Sequence, residues 1–155
     1  MKIKGLKVEE ITLIGLKLPF KTTNENNQSM KDCGELWTRF EREGIFIKIP
    51  NRLSDEVLAV YYDYEGDHTQ PFSYFIGCKV QEGTELPVDL DKLIIPAGKY
   101  QKVTATGEMP ACVTNVWREI WESEIPRSYQ ADFEVYDERS RDWGDAEVDI
   151  YLSVE

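Results

Sequence analysis

The chain alternates between two hydrophobic rhythms, and each predicts a different element. Residues 8–16 are rich in apolar and β-branched positions and read as a strand. A polar loop over 24–29 follows, and Ser29 with Asp32 resembles a capping box that opens a helix. Met30, Cys33, Leu36, Trp37 and Phe40 then recur at helical spacing, with Gly44 as the stop. Residues 45–49 read as a short strand. Residues 57–64 and 72–80 read as a hairpin, joined through the turn at Glu65-Gly66-Asp67.

Residues 82–98, which carry Pro87 and Pro96, read as a connector. A strand over 99–106 and a break at 107–110 come next. Val113, Val116, Trp117, Ile120 and Trp121 then follow the i, i+3, i+4, i+7, i+8 stripe of a second helix, which Pro110 opens and Pro126 ends. Residues 132–136 alternate as a strand, and a charged turn over 137–145 leads to a last one, carrying Val148, Ile150, Leu152 and Val154. The pattern strand–helix–strand–strand therefore occurs twice, in pseudo-halves of about 1–82 and 95–155. Short links favour antiparallel pairing. The expectation is one α+β domain over 1–155, in which two β-α-β-β units build an antiparallel sheet with two helices on one face.

This architecture gives the strand Asp132-Phe133-Glu134-Val135-Tyr136 its interest. Phe133 and Val135 share one face, and Glu134 and Tyr136 the other. With that second face in solvent, Glu134 is an ordinary surface charge. Under the helices it is a carboxylate in an aromatic cleft, where a cationic partner is the natural inference. The alternation alone leaves both open. Trp37 and Phe40 on one helix, and Trp117 and Trp121 on the other, read first as core packing, with walls of a groove suited to a flat or cationic guest as the second reading. Most tyrosines fall on strands. By alternation Tyr62 and Tyr64 share a face, as do Tyr74 and Ile76. Cys112, near the start of the second helix, reads as a small packing residue.

Composition narrows the function classes. The 155 residues carry 18 Lys and Arg against 29 Asp and Glu, a net charge of −11, which argues against direct nucleic-acid binding. No apolar run is long enough for a membrane span, and the first residues do not form a signal peptide. The three cysteines are far apart and His68 is the only histidine. A disulfide framework, a metal site and a Ser-His-Asp triad are therefore not expected, no cofactor or catalytic residue is assigned, and a cytoplasmic setting fits.

Five segments taken in order carry a resemblance: Leu58-Ala59-Val60-Tyr61-Tyr62-Asp63-Tyr64, Phe72-Ser73-Tyr74-Phe75-Ile76-Gly77, Ile95-Pro96-Ala97-Gly98-Lys99-Tyr100, Val116-Trp117-Arg118-Glu119-Ile120-Trp121 and Asp132-Phe133-Glu134-Val135-Tyr136. Together they resemble the GyrI-like effector-binding domain family, found as the ligand-binding part of multidrug-responsive regulators. Within it they resemble the stand-alone integron-cassette subgroup that binds cationic drugs. The resemblance implies that the helices cover the Glu134 face and that Glu134 contacts a lipophilic cation. It places Tyr74 and Tyr136 beside it, with Trp37, Trp117 and Trp121 as further aromatic walls. No helix-turn-helix precedes the first strand, so the output is expected through a separate regulator, a topoisomerase partner or ligand sequestration. Two other readings stay open: a hydrolase of electrophilic small molecules with Glu134 as general base, and a topoisomerase-interacting inhibitor. The desolvated carboxylate is expected to have a raised pKa.

Overall fold

The computed structural model describes residues 2–155 and is an α+β structure with one eight-stranded antiparallel sheet. In chain order the elements are β1 (Ile3–Val8), β2 (Ile11–Lys17), α1 (Gln28–Arg42), α2 (Ile45–Lys48), β3 (Val57–Tyr62), β4 (Ser73–Lys79), β5 (Asp91–Ile95), β6 (Gly98–Gly107), α3 (Ala111–Glu122), β7 (Ala131–Tyr136) and β8 (Ala146–Ser153). The sheet order is β1-β6-β8-β7-β3-β4-β2-β5. The expected repeat is visible as β2-α1-β3-β4 and β6-α3-β7-β8, and the two units join where β3 pairs with β7.

Each unit is preceded by a strand that pairs with the other unit: β1 adds to β6, and β5 adds to β2. This exchange bends the sheet. Val8 and Ile11 are three residues apart, a reach of at most about 11 Å. Yet β1 and β2 lie six strand spacings apart in the order, roughly 29 Å across a flat sheet. The turn from Ile95 to Gly98 makes the same demand between β5 and β6. The sheet must curl until its ends meet, and its inner face then encloses a helix-free core of Leu13, Leu58, Val60, Phe75, Ile95 and Phe133.

The other face carries the long helices. Leu36 and Phe40 of α1 pack on Ile14, Leu16 and Ile76, while Val113, Trp117 and Ile120 of α3 pack on Val103, Val148 and Ile150. Tyr61 and Tyr136 touch both clusters, so they mark the seam between the halves.

Four local expectations are corrected. The single strand over 8–16 is two strands, broken at Glu9-Glu10. Ser29 and Asp32 form no capping box: α1 begins one residue earlier, and the Asp32 carboxylate is buried, accepting from Thr22 Oγ1 at 2.7 Å and Gln28 Nε2 at 2.9 Å. Residues 45–49 form the short helix α2, which Gly44 begins in the left-handed conformation (φ 60°). The connector over 82–98 contains β5. A fifth correction concerns the tyrosines. Asp63 has φ 53° and breaks the alternation after β3. Tyr62 therefore packs in the inner core while Tyr64 reaches Asp132 on the helix face, so the two do not share a face.

Candidate functional site

Glu134 lies at the middle of β7, opposite Ala59 of β3 and Ile150 of β8. Its side chain faces the helices and is 2 % exposed. The methyl of Ala59 leaves the space beside the carboxylate to side chains arriving from farther away, and three of them donate to it. Tyr61 Oη donates to Oε2 at 2.8 Å, Trp117 Nε1 to the same oxygen at 2.6 Å, and Tyr136 Oη to Oε1 at 2.6 Å. All three donors are neutral. Among the described residues no cationic side chain forms an ion pair with Glu134.

The electrostatics follow from that shell. Burial pushes the Glu134 carboxyl above its ordinary value of 4.5, and the hydrogen bonds from Tyr136, Trp117 and Tyr61 offset part of the rise. The Tyr61 and Tyr136 hydroxyls are pushed far above the usual phenol range, by burial first and the Glu134 charge second, so they remain donors at neutral pH. Burial also raises the Cys33 thiol, and Glu134 adds to the effect.

Glu134 forms part of the wall of a cavity of about 670 Å³ between α1, α3 and the sheet. That volume falls within the range of small-molecule sites. Trp37, Tyr74 and Tyr136, which the family resemblance sets beside Glu134, line it. They form a connected set: Trp37 Nε1 donates to Tyr74 Oη at 2.9 Å, and the Trp37 and Tyr136 rings meet edge-on at 5.2 Å. Glu41, Asp55 and Asp137 add further acids, with Arg141 among them. An exposed indole, Trp143, lines the cavity from the 137–145 turn, whose main chain is fastened by Met109 N–H donating to Trp143 O at 2.7 Å.

Trp117 and Trp121 are placed differently. Both line a smaller chamber of about 140 Å³, together with Tyr64, Phe72, His68 and Arg127. Trp117 still reaches Glu134 through its ring nitrogen, whereas Trp121 stacks on His68 at 5.3 Å. Sequence reasoning missed Tyr61, which binds the carboxylate directly and lines both chambers. Its signal was the β3 alternation: Val57, Ala59 and Tyr61 share a face once Ala59 is paired with Glu134. Cys112 is buried, and its thiol lies 3.6 Å from Met109 Sδ, in keeping with packing.

The arrangement is a desolvated acceptor lined with π faces. Among the described residues no cation pairs with the acceptor, and the cavity presents aromatic surface to whatever enters. Among the described residues no group of three or more His, Cys, Asp or Glu is placed to hold a metal ion, and no helix is long and apolar enough to cross a membrane.

Comparison with known proteins shows the family and the fold. The family profile Cass2, described as integron-associated effector binding protein, matches residues 6–154. An integron cassette protein from the mobile metagenome of Vibrio cholerae is 26% identical, with a TM-score of 0.72 over 99% of this chain and 95% of that one. SAV2435, solved bound to tetraphenylphosphonium, shares the fold at a TM-score of 0.81 and 19% identity, covering 100% of this chain and 94% of its own. YobU of Bacillus subtilis (strain 168), named as a candidate transcriptional regulator, is 24% identical over 123 residues, 77% of each chain.

Proposed function

The chain belongs to the integron-associated effector-binding family, and from that premise we propose that it binds lipophilic cationic small molecules, with Glu134 as the counter-charge. One observation carries the reading: a carboxylate 2 % exposed, held by three neutral donors and no cation, in the wall of a cavity of about 670 Å³. An ionised carboxylate without a partner is costly in such a place. A cation entering the cavity supplies the missing charge and shifts Glu134 to its ionised form. Rings such as Trp37 and Tyr136 cover its apolar body, each cation–π contact adding about 0.5–2 kcal/mol.

The donors set how this works. Tyr61, Trp117 and Tyr136 keep the carboxylate oriented while the site is empty, so binding requires little rearrangement of the acid itself. They occupy donor positions without neutralising charge, which leaves the Coulombic attraction to the guest intact. Selection is then by charge first and by aromatic surface second. The bound neighbour SAV2435 and the candidate regulator YobU support reading the ligand as an effector in drug response or transcriptional regulation. We place the protein in the cytoplasm.

A matched pair of probes tests the charge role. Methyltriphenylphosphonium is cationic and triphenylphosphine oxide is neutral, and both present three phenyl rings. Calorimetric titration is expected to show Glu134→Gln weakening the phosphonium severely and the oxide little. Equal loss of both would remove the charge role.

A further inference from the structure

The smaller chamber shares a wall with the larger one and differs from it in electrostatic character. Met30, Cys33, Tyr61, Val113 and Thr114 line both. Trp117 stands between them, its ring lining the small chamber while its Nε1 holds Glu134 in the large one at 2.6 Å. The Tyr61 and Trp117 rings meet at 5.1 Å and complete this partition. Four acids line the large chamber: Glu41, Asp55, Glu134 and Asp137. No acid lines the small one, where the ionisable groups of basic character are His68 and Arg127. Arg127 is itself neutralised by Asp132 at 2.7 Å. The chamber therefore carries no net charge, while Arg127 Nε and Nη1 are buried without a hydrogen-bond partner and remain as unpaired donors.

Size and lining fix what fits. A dry apolar cavity of about 150 Å³ accepts one benzene ring, and this chamber measures about 140 Å³. Tyr64, Phe72, Trp117 and Trp121 offer aromatic walls, and the indole of Trp121 is backed by the stacked His68 ring. Resting on the proposed cation-binding function, we infer that the small chamber is a second subsite, which takes one uncharged aryl arm of the same ligand whose cationic centre is held at Glu134. The flexible side chain of Met30, 57 % exposed, belongs to the wall that the two chambers share. The ligand class is accordingly a branched cation whose aryl groups project in different directions. A rod with a charge at each end does not fit both chambers.

Two probes that differ by one arm test this. Tetraphenylphosphonium has four phenyl groups and methyltriphenylphosphonium three. The readout is the ratio of their affinities, measured by calorimetry on the wild-type protein and on two variants. Trp121→Ala removes an aromatic wall, and Ser29→Phe fills the chamber from the first turn of α1, where Ser29 lines it. The wild type is expected to prefer tetraphenylphosphonium about tenfold, and the ratio should fall towards one in each variant. Glu134→Gln should weaken both probes and leave the ratio standing. If both variants bind the two probes with the wild-type ratio, the subsite is wrong while the Glu134 reading stands. If neither probe binds the wild type, the Glu134 reading fails and the subsite with it. Two variants acting from opposite walls keep the test decisive when one of them folds poorly.

Discussion

Asp132 and Glu134 stand two residues apart on one strand, face the same helices and are both buried, at 0 % and 2 % exposed, yet their partners differ in kind. Asp132 is saturated: Arg127 Nη2 and Tyr64 Oη donate to Oδ2, each at 2.7 Å, while Ser153 N–H and Oγ donate to Oδ1 at 2.8 and 3.0 Å. Its charge is cancelled within the protein. Glu134 has hydrogen bonds of similar length and no cation. Both acids have their oxygens satisfied, and only one is left with net charge to share. Burial and hydrogen bonding together do not separate a structural acid from a ligand-binding one here; the charge of the donors does.

Stability should show the difference most strongly. Asp132→Asn leaves the Arg127 guanidinium buried without a counter-charge, a loss expected at about 3–5 kcal/mol. Glu134→Gln keeps most of its volume and removes an uncompensated charge, so its cost should stay below about 1.5 kcal/mol. Urea unfolding of the two variants compares them directly. Similar destabilisation by both would break the contrast.

Cation binding should reverse the order. Glu134→Gln is expected to weaken a phosphonium by about 2–5 kcal/mol, since it deletes one partner of a buried charge pair. Ser153→Ala trims one donor from Asp132 Oδ1, lies outside both chambers and should leave binding within about 1 kcal/mol. Calorimetry on both proteins checks this.

Tyr136→Phe should have a smaller effect. It removes one of the hydrogen bonds that favour the charged form, so the Glu134 carboxyl should rise further. The pH at which cation affinity reaches half its maximum should then move upward, with a modest loss of affinity at neutral pH.

The subtlest expectation concerns the empty protein. Glu134 has a raised pKa when folded, so between its ordinary 4.5 and that higher value the native state holds the extra proton. The resulting stabilisation is full below 4.5 and is lost as pH rises through the folded value. Wild-type stability relative to Glu134→Gln should thus decline over the window in which cation affinity grows. Thermal melts at stepped pH measure the first slope and titrations the second. Parallel slopes would contradict the assignment.

Much of this was legible from hydrophobic rhythm. The 57–64 and 72–80 strands, the Val113–Trp121 stripe and the alternation around Glu134 all follow from local sequence, because each has enough regular positions to fix its period. What local rhythm could not carry was anything decided by distant pairing. Asp91–Ile95 forms a strand only because β2 offers it an edge, and Ile45–Lys48 closes into a helix after a left-handed Gly44. The curl imposed by two exchanged strands depends on distant pairings, such as Ile3 with Val103 and Ile11 with Ile95. In the site, strand alternation put Glu134 and Tyr136 on one face, and only the family resemblance put that face under the helices with Tyr74 and Trp37 beside it. Tyr61 was hidden because assigning it needs the register of β3 on β7, and Trp121 lies one helical turn beyond Trp117, in the smaller chamber.

The most direct measurement is an NMR pH titration of the Glu134 side-chain carboxyl carbon, assigned by its loss in Glu134→Gln, with and without tetraphenylphosphonium. The carboxyl of the empty protein should titrate above 4.5, and saturation with the phosphonium should move that midpoint downward. A midpoint at or below the ordinary carboxylate value in the empty protein, or one that the bound cation leaves in place, would contradict an uncompensated acid awaiting its counter-charge.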